Sequence, residues 1–124
     1  MKKKRIFIVD DEPDLAIICK MIWEDKGYEV DSFTDPVLAL SKFIPNFYDL
    51  LILDIKMPEM DGFDLYEKIR KLDNNIKVCF LTASEMYYEN YRAKEYASLD
   101  EELFIHKPIE NDELIKKIDK IIES

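Results

Sequence analysis

The sequence predicts an α/β fold: a doubly wound, five-stranded parallel sheet in which strands and helices alternate as (βα)5. Apolar runs of strand length at residues 6–9, 50–53 and 78–81 are rich in branched residues and do not alternate with polar ones, the pattern of strands covered on both faces. Segments with helical periodicity lie between and after these runs, each supplying a stripe that can cover one face of a sheet. Glycine, proline and capping residues fall at several of the joints.

Taken in order, the first strand at 6–9 is followed by a helix whose stripe is read as Leu15, Ile18 and Ile22. Gly27 then stands where a left-handed C-terminal cap is expected. Residues 28–33 alternate in polarity, which suggests a second strand nearer the sheet edge. Asp35 and Pro36 have the form of an N-cap followed by proline at the first helical position. The third strand, 50–53, leads to a helix with Phe63, Tyr66 and Ile69 on one side, and the fourth is 78–81. Residues 84–102, where Tyr87, Tyr88, Tyr91 and Tyr96 mix with charges, hold the fourth helix, its end marked by no glycine or proline. A short fifth strand at 103–106 precedes a C-terminal helix with Leu114, Ile118, Ile121 and Ile122 as its stripe. Right-handed crossovers are expected throughout.

At 124 residues and 48% hydrophobic, the chain is read as one domain over 1–124 without linker or internal repeat. Eighteen basic against 27 acidic side chains give a net charge of -9, which disfavours nucleic acid and anionic membranes and points to a protein partner. Residues 1–5 are basic, but the apolar run behind them is far shorter than that of a secretory signal. Cys19 and Cys79 lie in apolar stretches without metal-ligand spacing, as buried free thiols of a reducing cytosol do; a disulfide or redox role is the alternative.

In an open parallel sheet the ligand edge is the one at the carboxyl ends of the strands. The residues there are Asp10 and Asp11 after the first strand, Asp54 after the third, Thr82 after the fourth and Lys107 after the fifth. Carboxylates about 4 Å apart repel by roughly 4 kcal/mol per pair at an effective dielectric near 20, so such a group needs a cation or a raised pKa on one member. A hard divalent cation such as Mg²⁺ fits best. Lys107 offers a point charge and Thr82 a hydroxyl donor to a phosphoryl oxygen, and together these are parts for phosphoryl transfer onto a carboxylate.

Val9-Asp10-Asp11-Glu12, Leu53-Asp54 running through Met57-Pro58-Glu59-Met60-Asp61-Gly62, Leu81-Thr82-Ala83 and His106-Lys107-Pro108 resemble, in order and spacing, the motifs of response-regulator receiver domains. The resemblance covers residues 4–122 and implies a flavodoxin-like strand order 2-1-3-4-5. It implies that Asp54 accepts a phosphoryl group from the phosphohistidine of a histidine kinase or phosphotransfer protein, a signalling switch that catalyses only its own phosphorylation and dephosphorylation. Mg²⁺ would be held by Asp11, Asp54 and the main-chain carbonyl of Lys56, with Asp10 acting mostly through water. Lys107 would pair with Asp54 and then with the phosphoryl group, its bond to Pro108 being cis. Thr82 and Ala83 would meet the phosphoryl oxygens, and Thr82 would move and leave room for Phe104, the switch aromatic, to rotate inward. The face made by the fourth helix, fifth strand and C-terminal helix would then dock an output protein or domain, or a second copy of the chain, in the cytoplasm.

Some positions depart from the family pattern. Phe104 stands where tyrosine is commoner, so an outward ring has no hydroxyl to offer a partner. The stretch between Thr82 and Lys107 is slightly long and lacks the glycine often found before the fifth strand. Lys56 either screens the phosphoryl group from water or is a solvated loop lysine. His106, the single histidine, precedes Lys107 in a strand and is not read as a phosphorelay histidine. A flavodoxin-type cofactor carrier is disfavoured by the acidic loop after the first strand, and a haloacid-dehalogenase-like phosphatase by lysine at position 56.

Overall fold

The computed structural model describes residues 4–82, 104–107 and 110–123, and these form a five-stranded sheet with four helices. The strands are β1 (Arg5–Val9), β2 (Glu29–Phe33), β3 (Leu50–Asp54), β4 (Lys77–Thr82) and β5 (Phe104–His106). All neighbours pair in parallel, in the order β2-β1-β3-β4-β5. The helices are α1 (Pro13–Asp25), α2 (Pro36–Lys42), α3 (Gly62–Leu72) and a C-terminal helix (Asn111–Glu123). The helix expected at 84–102, with its tyrosines, lies outside the described residues, as do Ala83 and Pro108.

Alternation along the strands divides the core into two layers. Phe7, Val9, Leu51, Leu53, Val78, Phe80 and Phe104 face α2 and α3, where Ala39, Phe63, Tyr66 and Ile69 are buried against them. Ile6, Ile8, Leu50, Ile52, Cys79, Leu81 and Ile105 face α1 and the C-terminal helix, meeting Cys19, Trp23, Leu114, Ile118, Ile121 and Ile122. The non-alternating strands are therefore apolar because both faces are covered. Both cysteines are buried free thiols, and burial pushes Cys19 up to about 12, which keeps it protonated.

Local signals set the joints. Gly27 follows α1 at φ 90, and its N–H donates to the Glu24 carbonyl at 3.0 Å. Asp35 caps α2 by accepting from the backbone N–H of Val37 at 2.9 Å, with Pro36 in the first turn. No helix among the described residues is long and apolar enough to cross a membrane.

The α1 stripe needs correction. Ala16, Cys19 and Trp23 are the buried residues of α1; of the expected stripe, Leu15 packs half-buried against the same core and Ile22 is half-buried, whereas Ile18 is 38% exposed. The two stripes have the same spacing and differ by one residue, about 100° of rotation around the helix. Reading hydrophobicity alone favours the leucine and isoleucines. What the sheet accepts is shape: small Ala16 and Cys19 let the helix approach, and the single tryptophan fills the space beyond them. Trp23→Ala should therefore cost about 3–5 kcal/mol, against no more than about 1 kcal/mol for Ile18→Ala. Urea unfolding of the two variants measures this, and the reverse ranking would restore the first stripe.

Candidate functional site

Three strand ends and one loop bring the candidate site together. Asp10 directly follows β1, and its N–H donates to the Phe33 carbonyl at 3.0 Å, which fixes the backbone where the acidic pair begins. Its side chain is fully buried: Oδ1 accepts from the backbone N–H of Glu12 at 2.9 Å and Oδ2 from Lys107 Nζ at 2.8 Å. Asp54 closes β3 opposite Leu81 and is 5% exposed. Thr82 closes β4 and is buried. Its carbonyl accepts the Lys107 N–H at 2.7 Å, so the end of β5 is tied to the end of β4.

Behind Asp54 the chain turns through Met57 and Pro58 into α3. The Gly62 N–H donates to the Ile55 carbonyl at 2.8 Å, and a Cβ at this position would collide with the Asp54 carbonyl oxygen. Glycine here is a matter of close approach, since any side chain would displace the backbone that carries Asp54. Asp61 starts α3 by accepting the Asp64 N–H at 2.8 Å, which seats the helix against the end of β3.

Asp10, Asp11 and Asp54 each present an oxygen within 4.8 Å of the others, the set among the described residues that could hold a metal ion. Asp11 and Asp54 border a cleft of about 470 Å³ lined also by Glu12, Lys56, Met57, Pro58 and Lys107. Lys107 Nζ lies 3.7 Å from Asp54 Oδ1 and 3.6 Å from Glu12 Oε1, both longer than its 2.8 Å bond to Asp10. The expected ion pair of Lys107 with Asp54 is thus present, while the hydrogen bond goes to Asp10, the acid wholly removed from water and most in need of a counter-charge.

Burial pushes the Asp54 carboxyl up to about 8, the charges of Asp10 and Asp11 adding to the effect and that of Lys107 opposing it. Burial works against the charge of Lys107, yet its hydrogen bond to Asp10 and the charges of Asp10, Asp54 and Glu12 outweigh this and raise its pKa. An acidic cluster that holds its central member protonated is one that lacks positive charge.

Sequence reasoning named Asp10, Asp11, Asp54, Thr82 and Lys107, and the fold brings them to one edge of the sheet. Lys56 is exposed at the cleft rim. Phe104 is buried, its ring stacked on Phe80 at 5.2 Å and 22°. The inward rotation expected of it thus starts from a ring already inside. Two further residues of the motifs, given no role by the sequence, take part. Glu12 reaches Lys107, and Gly62 gives α3 its seat; the contiguity of Glu12 with the acidic pair and the small size of Gly62 were the available signals.

A family model described as response regulator receiver domain matches residues 6–119. The chain belongs to this receiver-domain family. Among relatives of the receiver, the transcriptional regulatory protein DltR of Streptococcus agalactiae is 32% identical over 114 residues, 92% of this chain and 50% of that protein. The chain thus spans half the length of that regulator. The solved receiver domain of non-phosphorylated HemR from Leptospira biflexa superposes with TM-score 0.85 at 31% identity, covering 98% of this chain and 96% of that one. The response regulator TrrA of Thermotoga maritima, solved in complex with Mg²⁺-BeF, gives TM-score 0.76 at 36% identity, covering 95% and 98%.

The raised Asp54 pKa makes a statement about the stability of the receiver without divalent cations. Asp54 ionises near 4 in the unfolded chain and near 8 in the folded one. Between those values the folded state binds the extra proton, so stability falls as pH rises through this window and the loss is complete above about 8. Asp54→Asn should remove this slope and add on the order of 2 kcal/mol at pH 7. Urea unfolding in EDTA at pH 5 and pH 8 tests it; parallel behaviour of variant and wild type would show that Asp54 is ionised throughout.

Proposed function

We propose that this receiver is a phosphorylation-driven switch in which Asp54 takes a phosphoryl group from the phosphohistidine of a histidine kinase or phosphotransfer protein. The observation that carries the reading is Asp54 itself: a carboxylate 5% exposed at the edge of an open cleft, with two acids and a lysine converging on it. In the reaction an Asp54 carboxylate oxygen forms a bond to phosphorus as the bond from phosphorus to the imidazole nitrogen breaks. The electron pair stays with the imidazole, and the transferred group keeps its charge on three oxygens.

The donor set fits a hard divalent cation, since Asp10, Asp11 and Asp54 offer only carboxylate oxygen and their mutual repulsion already raises Asp54. Asp11, Asp54 and the carbonyl of Lys56 are the proposed ligands of Mg²⁺, with Asp10 acting through water. When bound, the cation would keep Asp54 ionised and offset charge on the transferred oxygens. The binding of Mg²⁺-BeF by TrrA supports the same reading for this cleft.

The chain's own residues divide the remaining work. Lys107 would turn from Asp54 toward the phosphoryl group while keeping its bond to Asp10, and Thr82 with the backbone at Ala83 would donate to its oxygens. The cis bond assigned to Lys107 and Pro108 belongs to the same proposal. Thr82 and Phe104 would then pass the change to the face made by residues 84–102, β5 and the C-terminal helix, where an output protein or domain or a second copy docks. The setting is proposed to be the cytoplasm.

Acetyl phosphate with Mg²⁺ should add one phosphoryl group to the chain, read as intact mass. Asp54→Asn or excess EDTA should abolish the addition, and undiminished labelling in either case would remove Asp54 from the role.

Lys56 is proposed to lengthen the life of the phosphorylated state, since a long cation at the cleft rim can screen the approach of water in line with the Asp54 to phosphorus bond. Lys56→Ala should lose its phosphoryl group severalfold faster in a single-turnover decay. An unchanged decay would return Lys56 to the status of a solvated loop residue.

A further inference from the structure

Lys107 Nζ is surrounded by carboxylates from Asp10 at 2.8 Å, Glu12 at 3.6 Å and Asp54 at 3.7 Å. An ammonium has three donors and no acceptor, and only Asp10 stands at hydrogen-bond distance, so Glu12 and Asp54 hold it by charge alone. The three acids differ in what else they do. Asp10 is fully buried and is also held by the Glu12 N–H at 2.9 Å, so it cannot leave. Asp54 is the proposed acceptor. Glu12 stands apart: its side chain is 67% exposed, and it lies outside the cluster of Asp10, Asp11 and Asp54. It also occupies the N-cap position of α1 while its side chain makes no capping hydrogen bond, so its carboxylate is not tied to the helix backbone.

We infer that Glu12 is a positioning residue for Lys107, the displaceable counter-ion that holds the ammonium off the phosphoryl site until an anion is bound on Asp54. The inference rests on the phosphoacceptor reading of Asp54 and adds to it a role for the third acid of the loop. A solvent-facing pair of this kind is worth little, which suits a contact that must be given up each time the site is filled. Its effect is on how readily Lys107 leaves. The flexible four-carbon stem of lysine lets the ammonium turn from Glu12 and Asp54 toward a phosphoryl oxygen while the bond to Asp10 persists.

The test is a titration with beryllofluoride in saturating Mg²⁺, followed by amide chemical shifts, on wild type, Glu12→Gln and Glu12→Asp. Asp keeps the charge but shortens the arm by about 1.5 Å, so it cannot hold Lys107 as Glu does. Both variants should bind about three- to fivefold more tightly than wild type, and the gain should vanish in a Lys107→Met background. Tighter binding by Glu12→Gln alone, with Glu12→Asp like wild type, would show plain charge repulsion of the anion and overturn the inference. So would a gain that survives in Lys107→Met, or no gain in either variant. Should Lys107→Met bind too weakly to titrate, the comparison of Glu12→Gln with Glu12→Asp decides alone. Wild type that binds no beryllofluoride would instead remove the phosphoacceptor reading beneath it.

Discussion

Two aspartates cannot be buried side by side at the end of a parallel sheet unless positive charge is buried with them. Here that charge is Lys107, whose 2.8 Å bond to the fully buried Asp10 joins the end of β5 to the end of β1 across the two strands between them. The pair is held at both ends: Asp10 by β2 and by the Glu12 N–H, Lys107 by the Thr82 carbonyl. A buried ion pair is weak evidence for stability, because desolvating both partners offsets most of their attraction. What it fixes is geometry. It leaves Asp54 in the middle of the edge with burial and two neighbouring charges acting against its ionisation and one lysine charge at 3.7 Å acting for it.

That imbalance connects stability to function. A carboxyl raised to about 8 means that folding free energy is given up at this site above the ordinary carboxylate range. Any ligand that supplies positive charge relieves it and is bound more tightly for that reason. The same logic explains why Gly62 cannot be replaced freely. With α3 seated directly on the Asp54 carbonyl, backbone packing fixes where the acid starts from the sheet. The position of the acceptor is therefore set by β3 and α3, while its charge is set by β1 and β5.

Most of this was legible in the sequence, for physical reasons that differ by element. β1, β3 and β4 announced themselves because strands buried on both faces must be apolar at every position, and the strand order followed from the family resemblance. Asp10, Asp11, Asp54, Thr82 and Lys107 could be named because a parallel sheet presents the residue after each strand at one edge. The α1 stripe was misread because hydrophobicity ranks Leu15, Ile18 and Ile22 above Ala16 and Cys19, whereas packing density ranks them by fit beneath Trp23. That the hydrogen bond of Lys107 goes to Asp10 was not legible either. Which of three acids an ammonium chooses depends on their relative burial, and burial is a property of the fold rather than of the spacing.

The position of Phe104 bears on how a change at Asp54 could travel. Gly62 abuts the Asp54 backbone, and the next residue, Phe63, lies 4.7 Å from Phe80 between ring centroids. Phe80 in turn stacks on Phe104 at 5.2 Å, and Phe104 opens the strand that ends beside Lys107. Acceptor, α3, β4 and β5 are thus joined by backbone contact and stacked rings without a gap. Contiguity alone is not coupling, since a chain of contacts carries a signal only if it has two arrangements. Packed aromatic rings are more apt to repack between discrete arrangements than to deform gradually. From an arrangement with Phe104 already inside, ring insertion has little left to contribute.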